Sequence, residues 1–77
     1  MNSIQLNEKR REIGLRLKHQ RVLLELTQEE CSMPGLTRQT IIKIEKGGNV
    51  DFNTILLYSN KIKLEIDFKK LLLNPPL

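Results

Sequence analysis

The chain lacks most of what catalytic and metal sites are built from. Its one cysteine, Cys31, excludes an internal disulfide. A lone thiol of this kind is expected as a small buried apolar residue and not as a reactive group. The single histidine, His19, stands among Lys18, Gln20 and Arg21 with no further ligands at workable spacing, so no metal is expected. The glycines form no phosphate-cradling loop, and no nucleophile elbow is present. Neither catalysis nor a cofactor is therefore expected. No apolar run approaches the roughly 20 residues of a membrane span. Residues 1–11 lack the apolar stretch of a signal peptide, so the expected location is the cytoplasm. Acidic residues are fewer than basic ones, 9 against 13, which leaves a net charge of +4. That excess fits a polyanionic partner, although it also serves simply to keep a small domain soluble.

Seventy-seven residues make one domain, without room for a separate ligand-binding or catalytic unit. A domain of this size buries only about 60% of its unfolded surface and is marginal alone. Oligomerisation is the usual remedy where disulfides are absent.

The apolar pattern predicts an all-α domain with one exception near its end. Residues 1–7 read as an N-terminal arm, with Ile4 and Leu6 alternating. Asn7 is placed to cap a helix from Glu8 to about Leu24, with Ile13 and Leu17, then Gln20 or Leu24, on its inner face. Thr27 caps a short second helix over Gln28–Ser32, with Glu29 and Glu30 in its first turn. Pro34 and Gly35 break it, one by lacking an amide hydrogen and the other by accepting positive φ. Thr37 then caps a third helix over Arg38–Glu45, ended by the cluster Lys46-Gly47-Gly48-Asn49. Asp51 caps a fourth, whose Phe52, Ile55, Leu56 and Tyr58 complete the core. Together residues 8–61 form the helical domain.

Over residues 62–68 the period changes. Ile62, Leu64, Ile66 and Phe68 alternate with Lys63, Glu65 and Asp67, the pattern of a half-buried strand. A solitary strand leaves unpaired backbone groups, so the expectation is an antiparallel ribbon with the same strand of a second copy. The competing expectation is a continuation of the fourth helix. Residues 69–77 form a tail ending in Pro75-Pro76.

In the third helix, Ile41 and Ile44 lie three apart on the inner face and leave Arg38, Gln39, Ile42 and Lys43 outside. Such a face is what readout of a DNA major groove requires. Gln pairs bidentately with adenine and Arg or Lys with guanine, each worth about 1–3 kcal/mol of discrimination. The blander alternative is an ordinary solvated helix face. Thr40 suits a phosphate or a thymine methyl, and Ile42 suits a thymine methyl or partial burial. Lys46 and Asn49 lie at the edge where backbone amides meet phosphate.

The segments Leu26-Thr27-Gln28-Glu29-Glu30, Gly35-Leu36-Thr37-Arg38-Gln39-Thr40-Ile41 and Ile44-Glu45-Lys46-Gly47 resemble the lambda-repressor-like (Xre-type) helix-turn-helix family over roughly residues 9–66. Three positions depart from that pattern. The turn at Ser32-Met33-Pro34 is one residue shorter, Cys31 and Ser32 replace Leu and Ala, and Glu25 replaces Gly after the first helix. The resemblance implies four to five helices and a dimer on double-stranded DNA carrying a palindromic operator. It implies DNA contacts from Gln28, Thr37, Arg38, Gln39, Thr40, Ile42, Lys43, Lys46 and Asn49. Gln28 would reach a phosphate or prop a residue of the reading helix. It implies a structural ion pair between Arg21 and Glu45. A strand directly after the fourth helix further looks like the HipB antitoxins, and implies a HipA-type kinase toxin as partner and repression of its own operon. The alternatives are a stand-alone regulator (a restriction–modification controller or phage repressor) and an interaction adaptor without DNA binding.

Overall fold

The computed structural model describes residues 2–73, with side chains through Asp67. Three α-helices carry the described chain: α1 (Ser3–Leu23), α2 (Arg38–Glu45) and α3 (Phe52–Leu73). All-α is therefore the fold class, and no described helix is long and apolar enough to cross a membrane.

The first helix starts five residues earlier than expected, because Asn2 and not Asn7 is its cap. The Asn2 side chain accepts from the Gln5 amide at 2.9 Å, and the Gln5 side chain accepts from the Asn2 amide at 3.0 Å. This reciprocal box satisfies two otherwise orphaned donors. The N-terminal arm therefore does not exist as an extended segment; Ile4 and Leu6 are helical and exposed. Asn7 instead accepts from the Arg10 guanidinium inside the helix.

The inner face of α1 is also displaced from expectation. Gly14, Leu17, Arg21 and Leu24 are buried, whereas Ile13 and Gln20 are exposed. At its end, Leu26 N donates to Arg21 O and Glu25 N to Val22 O, with Glu25 at φ 60°. These two bonds form a Schellman motif, normally closed by glycine because a side chain disfavours that φ.

The expected second helix is a single turn. Thr27 and Glu30 bond each other's amides through their side chains at 3.1 and 3.0 Å. Cys31 N then reaches Thr27 O, but the next amide, Ser32 N, bonds only Glu29 O, and the ladder stops. Met33 and Leu36 exchange two backbone bonds across Pro34-Gly35. Gly35 has φ 85°, which the third position of such a turn requires. Thr37 caps α2 as the sequence indicates, accepting from Thr40 N at 3.2 Å. Gly47, at φ 78°, closes α2 with a second Schellman pair from Gly47 N and Gly48 N to Ile44 O and Lys43 O.

The strand expected over residues 62–68, and with it the two-copy ribbon, is overturned: α3 runs through the segment. Two of the alternating residues also fit the helical period. Ile62 and Ile66, four apart, share the inner face, Ile62 fully buried and Ile66 packed against the core. Leu64 points outward at 65% exposure. With no partner strand, a helix satisfies its own backbone groups, and Lys61–Glu65 adds an i,i+4 ion pair at 3.1 Å. The side chain of Phe68 lies outside the described residues. In the first turns of α3, Tyr58 is buried as expected, but Phe52 is 71% and Leu56 45% exposed.

The core comprises Leu17, Leu24, Cys31, Leu36, Ile41, Ile44, Tyr58 and Ile62. Each fully buried large apolar side chain contributes about 1.5–3 kcal/mol. This core packs α2 against α1, which also packs against α3, and decides which face of α2 is left outside.

Candidate nucleic-acid interface

The short helix α2 is strongly two-sided. Ile41, Ile44 and Glu45 are buried, whereas Arg38, Gln39 and Lys43 are exposed and Thr40 and Ile42 are half-buried. Lys46 and Asn49 extend the exposed side past the helix end. Among the described residues, the side chains of Arg38, Gln39, Lys43, Lys46 and Asn49 form no hydrogen bond or ion pair within the chain. Thr37 and Thr40 differ: their hydroxyls pair at 2.9 Å as part of the cap.

The inner side is held by a buried polar network centred on Glu45. Arg21 grips its carboxylate with Nε at 2.7 Å and Nη2 at 3.1 Å. Gln28 donates from Nε2 at 3.0 Å, and the Tyr58 hydroxyl donates at 2.5 Å. Arg21 also donates from Nη1 to the Leu26 carbonyl at 2.7 Å. One carboxylate thus ties together α1, the 27–31 turn, α2 and α3. The Arg21–Glu45 ion pair is present with the fork geometry that fixes relative orientation. Of the two roles implied for Gln28, its side chain takes the propping one.

Tyr58 was not singled out as a network member by the sequence, which marked it only as core. Gly14 was also missed. A Cβ there would meet the Ile44 carbonyl oxygen at 2.2 Å and the Glu45 carbonyl oxygen at 3.0 Å. The lack of a side chain is what lets α1 cross the end of α2. A lone glycine inside a helical pattern was the available signal.

Beside this network lies an open groove of about 510 Å³ lined by Lys18, Arg21, Thr27, Gln28, Glu29 and Arg38. It places Lys18 of α1 next to the first residue of α2. At the other end of α2, a Cβ on Gly47 would lie within 3 Å of Arg11, so Arg11 stands beside Lys46 and the 47–49 connection. Basic residues of α1 therefore lie near both ends of α2.

The network also sets titration behaviour. Burial pushes the Glu45 carboxyl up, but the bonds from Arg21, Tyr58 and Gln28 outweigh it, and the net displacement is downward. Burial, then donation to Glu45, pushes the Tyr58 hydroxyl well above its ordinary range. For Glu45 the unfolded chain takes up a proton first. Its stabilisation is therefore present above the ordinary carboxylate value of about 4.3 and is lost as pH falls below it. For Tyr58 the sign is reversed, and stability falls once pH exceeds about 10, where the unfolded tyrosine ionises. Urea unfolding followed by circular dichroism is expected to show a plateau between these limits. Glu45→Gln should flatten the acid limb; an unchanged acid limb would remove Glu45 as its source.

No family model matches the chain, and neither a curated protein nor a solved structure matches it at a significant level.

Proposed function

We propose that this chain is a sequence-specific DNA-binding regulator that represses transcription, with α2 as the helix that enters the major groove. The observation that carries this reading is the division of α2. Its inner side is locked by Ile41, Ile44 and the Glu45 network, while Arg38, Gln39 and Lys43 are exposed and uncommitted. Rigid support behind free bidentate donors is what base discrimination needs, because misplacing a guanidinium or amide forfeits the paired bonds.

In this reading the 27–31 turn and α2 act as the two limbs of a helix-turn-helix, with the first limb reduced to one turn. Gln39, Arg38 and Lys43 address base edges, and half-buried Ile42 offers a methyl-sized apolar contact. Lys18, Arg11, Lys46 and Asn49 meet phosphates, which supply most of the affinity and no sequence information. Thr37 and Thr40 contribute through the helix cap. Two copies would occupy half-sites of a palindrome about 34–36 Å apart.

The likeness to HipB-type antitoxins rested on a strand after the fourth helix. A helix occupies those residues, so the HipA-type kinase partner has no carrier in the fold. The reading therefore stops at a stand-alone small regulator.

Its test is a binding titration on DNA from upstream of its own gene and on random DNA. A dimer neutralising six to ten phosphates would lose roughly 10³–10⁵ in affinity between 50 and 200 mM salt. Gln39→Ala and Lys43→Ala should relax preference at particular positions, by about 1–3 kcal/mol each. Lys46→Ala should weaken all sequences evenly. A flat salt response by folded protein would favour the interaction adaptor instead.

A further inference from the structure

Tyr58 is the chain's one tyrosine and is fully buried. From α3 its hydroxyl donates to Glu45 Oε2 at 2.5 Å. Among the described residues this is the only hydrogen bond between α3 and α2. The same oxygen accepts from Arg21 Nε at 2.7 Å, while Oε1 accepts from Gln28 Nε2 at 3.0 Å and Arg21 Nη2 at 3.1 Å. The tyrosine bond is the shortest of these and has the length of a charge-assisted O–H···O⁻ contact.

Glu45 is the last residue of α2 and Arg38 the first, so the two stand about 10 Å apart along the axis. Near Glu45, α2 rests on α1, with the Ile44 and Glu45 carbonyls against Gly14. A close crossing of this kind fixes a pivot but leaves the tilt about it to other contacts. Through Arg21, α1 also supplies one grip on the carboxylate. Tyr58 supplies the grip that comes from α3, and so refers the tilt of α2 to a second helix. A tilt of about 6° at the Glu45 end moves Arg38 by about 1 Å, twice the roughly 0.5 Å tolerance of a preorganised site.

We infer that Tyr58 is a positioning residue for base readout: its hydroxyl sets the tilt of α2, and with it the placement of Arg38 and Gln39, without touching DNA. The inference rests on the reading of α2 as the helix that enters the major groove, and deepens it. Long basic side chains reach phosphates from many positions, whereas a bidentate base pair needs one geometry. Losing the hydroxyl should therefore lower selectivity and leave general affinity in place.

Tyr58→Phe removes the hydroxyl and keeps the ring in the core. Ile62→Val trims a buried side chain one turn further along α3 and controls for lost stability alone. Without DNA, Tyr58→Phe should speed hydrogen exchange of the Ile44, Glu45 and Lys46 amides about tenfold relative to the Leu17 amide of α1. Ile62→Val should speed both alike. On DNA, Tyr58→Phe should lower affinity for the preferred sequence about tenfold and leave random DNA within about twofold, while Ile62→Val changes neither. Even quickening of exchange in Tyr58→Phe, or a preferred-to-random ratio equal to that of the wild type, would overturn the assignment. A wild type without base preference would sink the DNA reading of α2 instead, and the exchange comparison would still decide whether Tyr58 holds its tilt. If Tyr58→Phe unfolds in dilute buffer, both measurements are made in trimethylamine N-oxide, which favours the folded state. A variant that stays unfolded there makes Tyr58 a stability residue and overturns the positioning role.

Discussion

Gly14→Ala should be among the most damaging single-methyl changes in this chain. The added Cβ would sit 2.2 Å from the Ile44 carbonyl oxygen and 3.0 Å from that of Glu45. Both obstacles are backbone at the end of α2, which cannot swing aside as a flexible side chain does. Alanine's better helix propensity returns only about 1 kcal/mol. Forcing two packed helices apart costs about 1–3 kcal/mol and occasionally more. With both obstacles in the backbone the upper end of that cost applies, leaving a net loss of about 2 kcal/mol, which for a domain of this size lowers the midpoint by about 8–16 °C. Thermal unfolding by circular dichroism measures it. An unchanged midpoint would mean that α1 does not cross α2 at Gly14.

Glu45→Ala should be at least as severe, for an electrostatic reason. It strands the Arg21 guanidinium in a buried setting and leaves the Tyr58 hydroxyl and the Gln28 amide without their acceptor. Removing one partner of a buried ion pair costs about 3–5 kcal/mol, most of it from the orphaned charge. Replacing both members by apolar residues, Arg21→Met with Glu45→Leu, should recover a large part of that loss because no charge is left unpaired. Urea denaturation of Arg21→Met, Glu45→Leu and the double variant closes the cycle. Additive losses would show that Arg21 and Glu45 do not act as a pair. The network would then be a set of independent contacts.

The parts legible from the sequence are those governed by local chemistry. Thr37 can cap a helix wherever it occurs, and Lys46-Gly47 can end one, so the limits of α2 were readable residue by residue. Ile41 and Ile44, with the polar side chains between them, marked its two faces. Pro34-Gly35 identified the turn because few other pairs supply both a fixed φ and a positive one. The Arg21–Glu45 pairing came from a family resemblance; nothing in the spacing of two residues 24 apart indicates it.

What stayed illegible required knowing what lies opposite. The alternation of Ile62, Leu64, Ile66 and Phe68 fits a strand when read alone, and fits a helix once Ile62 and Ile66 have a core to enter. The cap at Asn2 is the exception, being local: Gln5 stands three residues on at capping-box spacing, whereas Asn7 has Arg10 there. The turn at 27–31 has helical residues and a helical cap, yet the chain leaves it after one turn to bring Leu36 into the core, where it is fully buried.

From sequence alone, then, come the helical class, the turn, the boundaries of α2 and the chemistry of its outward face. These depend on residues within a few positions of each other. The path of α3, the crossing at Gly14 and the gathering of Arg21, Gln28 and Tyr58 on Glu45 were decided by tertiary packing. A backbone without a neighbouring strand must satisfy its own hydrogen bonds, and a buried carboxylate must find its donors wherever the fold brings them.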